Sequence, residues 1–229
     1  MIEFLVSPPY ENITGRSLAH ASYKIESGRL MRALIPHSNS GDIMIIRGAN
    51  DICDAELARE IHSECLRHGY CGVLLASISA CALCDFLLAL SITVYVPIEC
   101  ALHCKGAKIL VPGIISGGSF CEYLGGLAHI YGENRLAVEL YYSALDFTMP
   151  SAMSSGETLN ASELGVLMTD AGKSFFSSEL CCNYFLYEKA NGEAHFVMFD
   201  DAHSIKRKIE IANELNLAAC FIWQGATAF

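Results

Sequence analysis

Short apolar runs alternate with amphipathic segments of helical period along this chain, and that alternation restricts the fold more than any other feature. The runs are 2–6, 43–46, 72–75, 92–96, 108–111, 136–141, 184–187 and 220–223, eight in all. Several are continuously apolar, the pattern of parallel strands covered on both faces. Between them, DAELAREIHSECLRHG sets Asp54 as a cap, puts Leu57, Ile61 and Cys65 on one face, and ends at Gly69. In SIKRKIEIANELN, Ser204 is the expected cap, with Ile205, Ile209 and Ala212 on the buried side. Alternating strands and helices predict an α/β fold. Eight strands select a small (β/α)8 TIM barrel, and 229 residues form one domain over 1–229.

One segment breaks the pattern. NYFLYEKANGEAHFVMFDD carries Asn191-Gly192 between two aromatic-rich runs, which predicts a β-hairpin insert with a type I′ turn near the last strand. With 52% hydrophobic and 17% charged residues, the chain has ample material for a large core. A net charge of −10 with only fifteen Lys and Arg excludes an electrostatic grip on nucleic acid. Lys206-Arg207-Lys208 reads as a solvated helix face. The longest apolar stretch, 86–98, is too short to span a membrane, and no leader pattern is visible, so a cytoplasmic protein is expected. Eleven cysteines without framework spacing predict reduced thiols, and the sequons at Asn12 and Asn160 read as chance.

The run YFLYEKANGEAHFVMFDDAHSIKRKIEIANELNLAACFIW resembles the carboxy-terminal part of glycoside hydrolase family 18, especially its bacterial spore-associated cell-wall hydrolases. There a Tyr-Phe hairpin leads to an aromatic-acid-Asp-Ala-x-Ser segment, a Lys-rich helix and a last strand ending in Trp. The expected helix from Cys84 to Ile92, followed by TVYVP, is similar to the family's fifth-strand region. The resemblance implies a (β/α)8 barrel. It also implies an acidic signature on the fourth strand, Asp-Gly-x-x-x-Asp-x-Glu, whose Glu protonates the glycosidic oxygen while the substrate's N-acetyl group attacks. Laid on YCGVLLASI, the Gly matches Gly72, but the acids fall on Cys71, Ala76 and Ile78.

Two readings follow. In the first, the barrel is a degenerate relative without hydrolase activity of the family type, binding an N-acetylglucosamine-containing carbohydrate in the old cleft. In the alternative it is an active glycosidase using Glu99, which follows SITVYVPI as the fourth strand if strands are simply counted, or Glu139 on LAVELYY. A third possibility is an interaction module with no sugar ligand. The resemblance places Trp223 as the hydrophobic floor beneath the sugar and Tyr141, on the sixth strand, as the acetamido contact. Glu99 and Glu139 complete the expected substrate-binding set. No cofactor is expected.

Other constellations have plainer meanings. Cys81-x2-Cys84 and Cys100-x3-Cys104 approach zinc-site spacing, yet cysteines three apart on an apolar helix serve readily as small core residues. GIISGGS, 113–119, follows a strand and opens a helix with Ser119 as cap, a place where backbone N–H groups can meet an anion or a sugar hydroxyl. A tight structural turn is the simpler reading. Asp200, Asp201 and His203 suit a helix start, and His195 suits packing or the surface.

Overall fold

The computed structural model describes residues 1–7, 17–32, 40–48, 53–150 and 156–223. In chain order come β1 (Ile2–Ser7), β2 (Ser17–Glu26), β3 (Arg29–Arg32), β4 (Ile43–Arg47), α1 (Ala55–His68), β5 (Gly72–Leu75), α2 (Cys84–Ala89) and β6 (Thr93–Pro97). Next are β7 (Lys108–Pro112), α3 (Phe120–Tyr131), β8 (Leu136–Tyr141), β9 (Ala144–Met149), β10 (Glu157–Leu159) and α4 (Ala161–Ala171). The remainder is β11 (Phe175–Ser177), β12 (Cys182–Glu188), β13 (Ala194–Phe199), α5 (Ala202–Glu214) and β14 (Ala219–Trp223).

The larger sheet has the order β1-β14-β8-β7-β6-β5-β4-β2-β3. Only β3 pairs antiparallel, as a hairpin on β2. The sheet curls: β1 pairs parallel with β14 on one side and with β2 on the other. In a flat sheet β1 and β6, four strands apart, would be separated by about 19 Å. Instead Tyr95 of β6 lies with its ring 6.4 Å from Phe4 of β1 and 5.1 Å from Phe221 of β14.

Curling explains the continuous apolar runs. Ile43, Ile45, Leu74, Leu110, Ala137, Ala219, Phe221 and Trp223 share one cluster on the concave side with Phe4 and Tyr95. Their sequence neighbours point outward: Met44, Ile46, Val73 and Leu75 pack with α1 and α2, and Val138, Leu140 and Ile222 with α3 and α5. Both faces are therefore buried, and each strand is apolar at successive positions.

The count of strands needs correction. The run 184–187 belongs to β12, in a separate five-stranded antiparallel sheet of order β10-β9-β13-β12-β11. The missing parallel strand is β2, whose SLAHASYKIE mixes small, polar and apolar residues and gave no strand signal. With β2 included, β5 is the fourth parallel strand, β6 the fifth and β8 the seventh. Glu99 thus follows the fifth strand, not the fourth, and Tyr141 ends the seventh, not the sixth.

The insert is larger than a hairpin, because β9, β10, β11 and α4 join β12 and β13. Its expected tight turn is a five-residue loop closed from Lys189 N–H to the Glu193 carbonyl at 2.9 Å. Gly192 adopts φ 84° while Asn191 has no positive φ, so the turn is not type I′.

Helix α1 is as expected: Asp54 accepts from the Glu56 and Leu57 N–H groups, and Gly69 closes it at φ 69°. For α5 the cap is Asp201, and Ser204 is its reciprocal partner in a capping box. The basic cluster on α5 is not a uniformly solvated face. Lys208 is fully buried, its Nζ 2.6 Å from Asp200 Oδ2 and over the Phe120 ring. Burial pushes the Asp200 carboxyl up, while Lys208 and Ser204 pull it back.

Candidate functional site

The alternation of side chains on β8 decides what the concave face carries at its carboxyl end. Ala137 points inward and Val138 outward, so Glu139 and Tyr141 point inward with Ala137. In register, Tyr141 faces Trp223 at the end of β14. Their rings stack with centroids 5.6 Å apart and planes 12° from parallel. Trp223 is 3% exposed, so the indole is a buried support under Tyr141 and not an open platform.

The Tyr141 phenol donates to Glu139 Oε2 at 2.7 Å. Burial pushes the Glu139 carboxyl above its ordinary range; the nearby Glu99 charge adds to this, and the Tyr141 hydrogen bond opposes it. Burial and the Glu139 charge likewise raise the Tyr141 phenol. Glu99 sits in the short 3₁₀ segment Ile98–Cys100 after β6, exposed to solvent. Burial raises the Tyr123 phenol on α3, and the charges of Glu139 and Glu99 add to it. Glu99, Glu139, Tyr141 and Trp223 are therefore brought together at one rim.

Sequence reasoning missed two members of this group. The Arg47 guanidinium, at the end of β4, lies 5.9 Å from the Trp223 ring centroid, and partial burial lowers its proton affinity. Tyr123 is the second. A cation ending the apolar run IMII was the available signal for Arg47; Tyr123, one aromatic on a helix, gave none.

At the end of β5, Ala76 packs against the concave cluster. Ser77 caps the 3₁₀ segment Ile78–Leu83 by accepting from the Ala80 N–H, and Ile78 is 65% exposed. Cys71 lies before β5, at the opposite end of that strand, where its thiol donates to the Gly41 carbonyl. Ser119 caps α3 as expected, but the Phe120 N–H donates to the Glu179 carbonyl at 2.7 Å and the Glu122 N–H to Ser119 Oγ. These internal partners favour the structural reading of the 113–119 loop.

The four cysteines of the zinc-like spacing do converge. Cys81 and Cys100 are bonded to each other as a disulfide, which corrects the expectation of reduced thiols for this pair; the other nine cysteines are free. Cys84, Cys100 and Cys104 lie in the core beside α2, with Cys81 packed against it. Among the described residues no group of three or more His, Cys, Asp or Glu is arranged to hold a metal ion. His195 is buried, as one of its expected readings has it, with Nδ1 2.8 Å from Asp146 Oδ1, and the Tyr187 phenol donates to the same carboxylate at 2.6 Å. That group ties β9, β12 and β13 of the insert together. Asn12 lies outside the described residues; Asn160 caps α4 through a capping box.

No family model matches the sequence, and no curated protein compared with it is similar enough to relate to it. Solved structures do match in fold. Chitinase from Chromobacterium violaceum ATCC 12472 superimposes with a TM-score of 0.65 at 12% identity, covering 100% of this chain and 95% of that one. Group IV chitinase of Ostrinia furnacalis gives 0.64 at 11% identity, over 97% and 92%. The spore cortex-lytic enzyme SleL of Bacillus megaterium QM B1551 gives 0.60 at 12% identity, over 99% of this chain and 71% of that one. The chain thus has a mixed α/β, family-18-like fold built on a curled parallel sheet.

Proposed function

We propose that the curled sheet is the (β/α)8 barrel of family 18, and that its rim binds a saccharide without hydrolysing it by the family's mechanism. One observation carries this reading: β5, the fourth parallel strand, is followed by Ala76 and Ile78 where the resemblance places the family's acids. A methyl group and an exposed aliphatic chain have no proton to give a leaving oxygen. Double pairing of β1 supports the barrel.

The ligand class comes from the resemblance and from the chemistry of the rim. Glu139 and Tyr141 offer an acceptor and a polar ring edge above the buried Trp223, a combination suited to the hydroxyl and amide groups of an N-acetylglucosamine-containing chain. The acidic balance of −10 argues against nucleic acid as partner. Among the described residues no helix is long and apolar enough to cross a membrane.

Trp223 is the only tryptophan, so its emission reports this rim. Titration with N-acetylglucosamine oligosaccharides is expected to change that emission saturably. Unchanged emission up to millimolar sugar removes the carbohydrate reading and leaves a protein-interaction module.

A second reading has its own observation. Glu139 is inward-facing, half-buried and raised in proton affinity with Glu99 nearby, the pairing by which glycosidases keep an acid protonated near neutral pH. In that reading Glu139 is the proton donor of an active glycosidase, acting from the seventh strand.

A further inference from the structure

Four cysteines gather on the two loops that follow β5 and β6. Cys81 lies in the 3₁₀ segment Ile78–Leu83, and Cys84 opens α2. Cys100 ends the segment Ile98–Cys100, and Cys104 lies in the turn beyond it. The Cys81–Cys100 bond spans 19 residues of sequence, so it ties the end of the fourth parallel strand to the end of the fifth. Cys100 directly follows Glu99. Fixing its sulfur therefore fixes the backbone that carries Glu99, whose charge is felt at Glu139.

The surroundings make this bond selectively reachable. Cys100 is buried while Cys81 is half-buried, so a reagent from solvent meets the Cys81 sulfur first. Cys84 donates to Cys104, and the Cys104 thiol donates to the Cys81 carbonyl at 3.7 Å. Both of these thiols are buried, and burial pushes Cys84 up to about 12. They keep their protons near neutral pH and do not compete as nucleophiles.

We propose that Cys81–Cys100 is a thiol-responsive redox site whose reactant is a small thiol or dithiol and whose state sets the position of the Glu99 segment at the rim. The external thiolate attacks the Cys81 sulfur. The S–S bond breaks, and its electron pair leaves on the Cys100 sulfur, which takes up a proton. A second thiolate attacks the external sulfur of the mixed disulfide, displacing Cys81 as a thiolate that is then protonated. Two electrons reduce the protein disulfide, and the two external thiols leave joined as a disulfide. The redox site stands on its own geometry; its consequence for ligand binding rests on the rim being the binding site.

The test uses the full chain purified without reductant. Alkylation followed by peptide mass mapping is expected to modify the exposed Cys71 and Cys121 at once, and Cys81 and Cys100 only after treatment with a dithiol. Amide hydrogen exchange over 98–104 is expected to rise severalfold on reduction, and Cys100→Ser is expected to reproduce that rise without reductant. If the variant does not fold, the reduced wild type carries the comparison. Alkylation of Cys81 and Cys100 alongside Cys71 before reduction overturns the proposal. Exchange over 98–104 that is indifferent to the dithiol overturns it equally. A flat saccharide titration with these redox results intact sinks the ligand reading alone.

Discussion

Glu139 owes its chemistry to a single alternation on β8: one residue earlier or later its carboxyl would lie among the aliphatic chains beneath the helices. Its raised proton affinity has a consequence for stability with a definite sign. The folded chain holds this proton more tightly than the unfolded chain, so the fold loses stability as pH rises from the ordinary carboxylate range through the folded value. Glu139→Gln keeps an acceptor for Tyr141 and removes that loss. Melting curves are expected to show the variant gaining on the wild type as pH rises from 4 to 7; a difference independent of pH contradicts the assignment. Lys208 is the opposite case, a buried charge held by its partner. Lys208→Met leaves Asp200 buried and unpaired and is expected to cost about 3–5 kcal/mol in denaturant unfolding, with much of it recovered by adding Asp200→Asn.

Among the elements, the rim depends on how closely β7 and β8 approach. A Cβ on Gly113, just past β7, would overlap the Glu139 carbonyl and a Leu140 methyl. Gly113→Ala is expected to destabilise the fold by more than 1 kcal/mol, through backbone displacement at Glu139, as read by denaturant midpoint. The Cys81–Cys100 link acts on the neighbouring loops. By loop closure it contributes about 3 kcal/mol, so reduction is expected to lower the melting temperature measurably. How much of this was legible depended on the element. α1 declared its cap, face and terminator, because each signal is local. β5 could be aligned on its glycine and apolar run. β2 could not be read, since seven of its ten side chains are small or polar and its strand character comes from pairing with β1 and β4. That one omission displaced Glu99 and Tyr141 by a strand each. Lys208 was misread because a helix of mixed charge does not reveal which lysine meets a buried aspartate eight residues earlier, and Asn191-Gly192 because the loop closes at Lys189 and Glu193 instead.

At the scale of the whole molecule, a curled parallel sheet gathers the carboxyl ends of distant strands at one rim. Glu99, Glu139, Tyr141 and Trp223 meet there despite wide separation in sequence. The same geometry brings the end of β5, followed by Ala76 and Ile78, to that rim, and the proposal that these residues stand where the family has its acids turns on that placement. The most direct measurement is turnover of a fluorogenic N-acetylglucosamine oligosaccharide by the wild type beside Glu139→Gln and Glu99→Gln. The account predicts release indistinguishable among all three and from buffer alone. Turnover by the wild type that disappears in either variant would contradict it and make this rim the active site of a glycosidase.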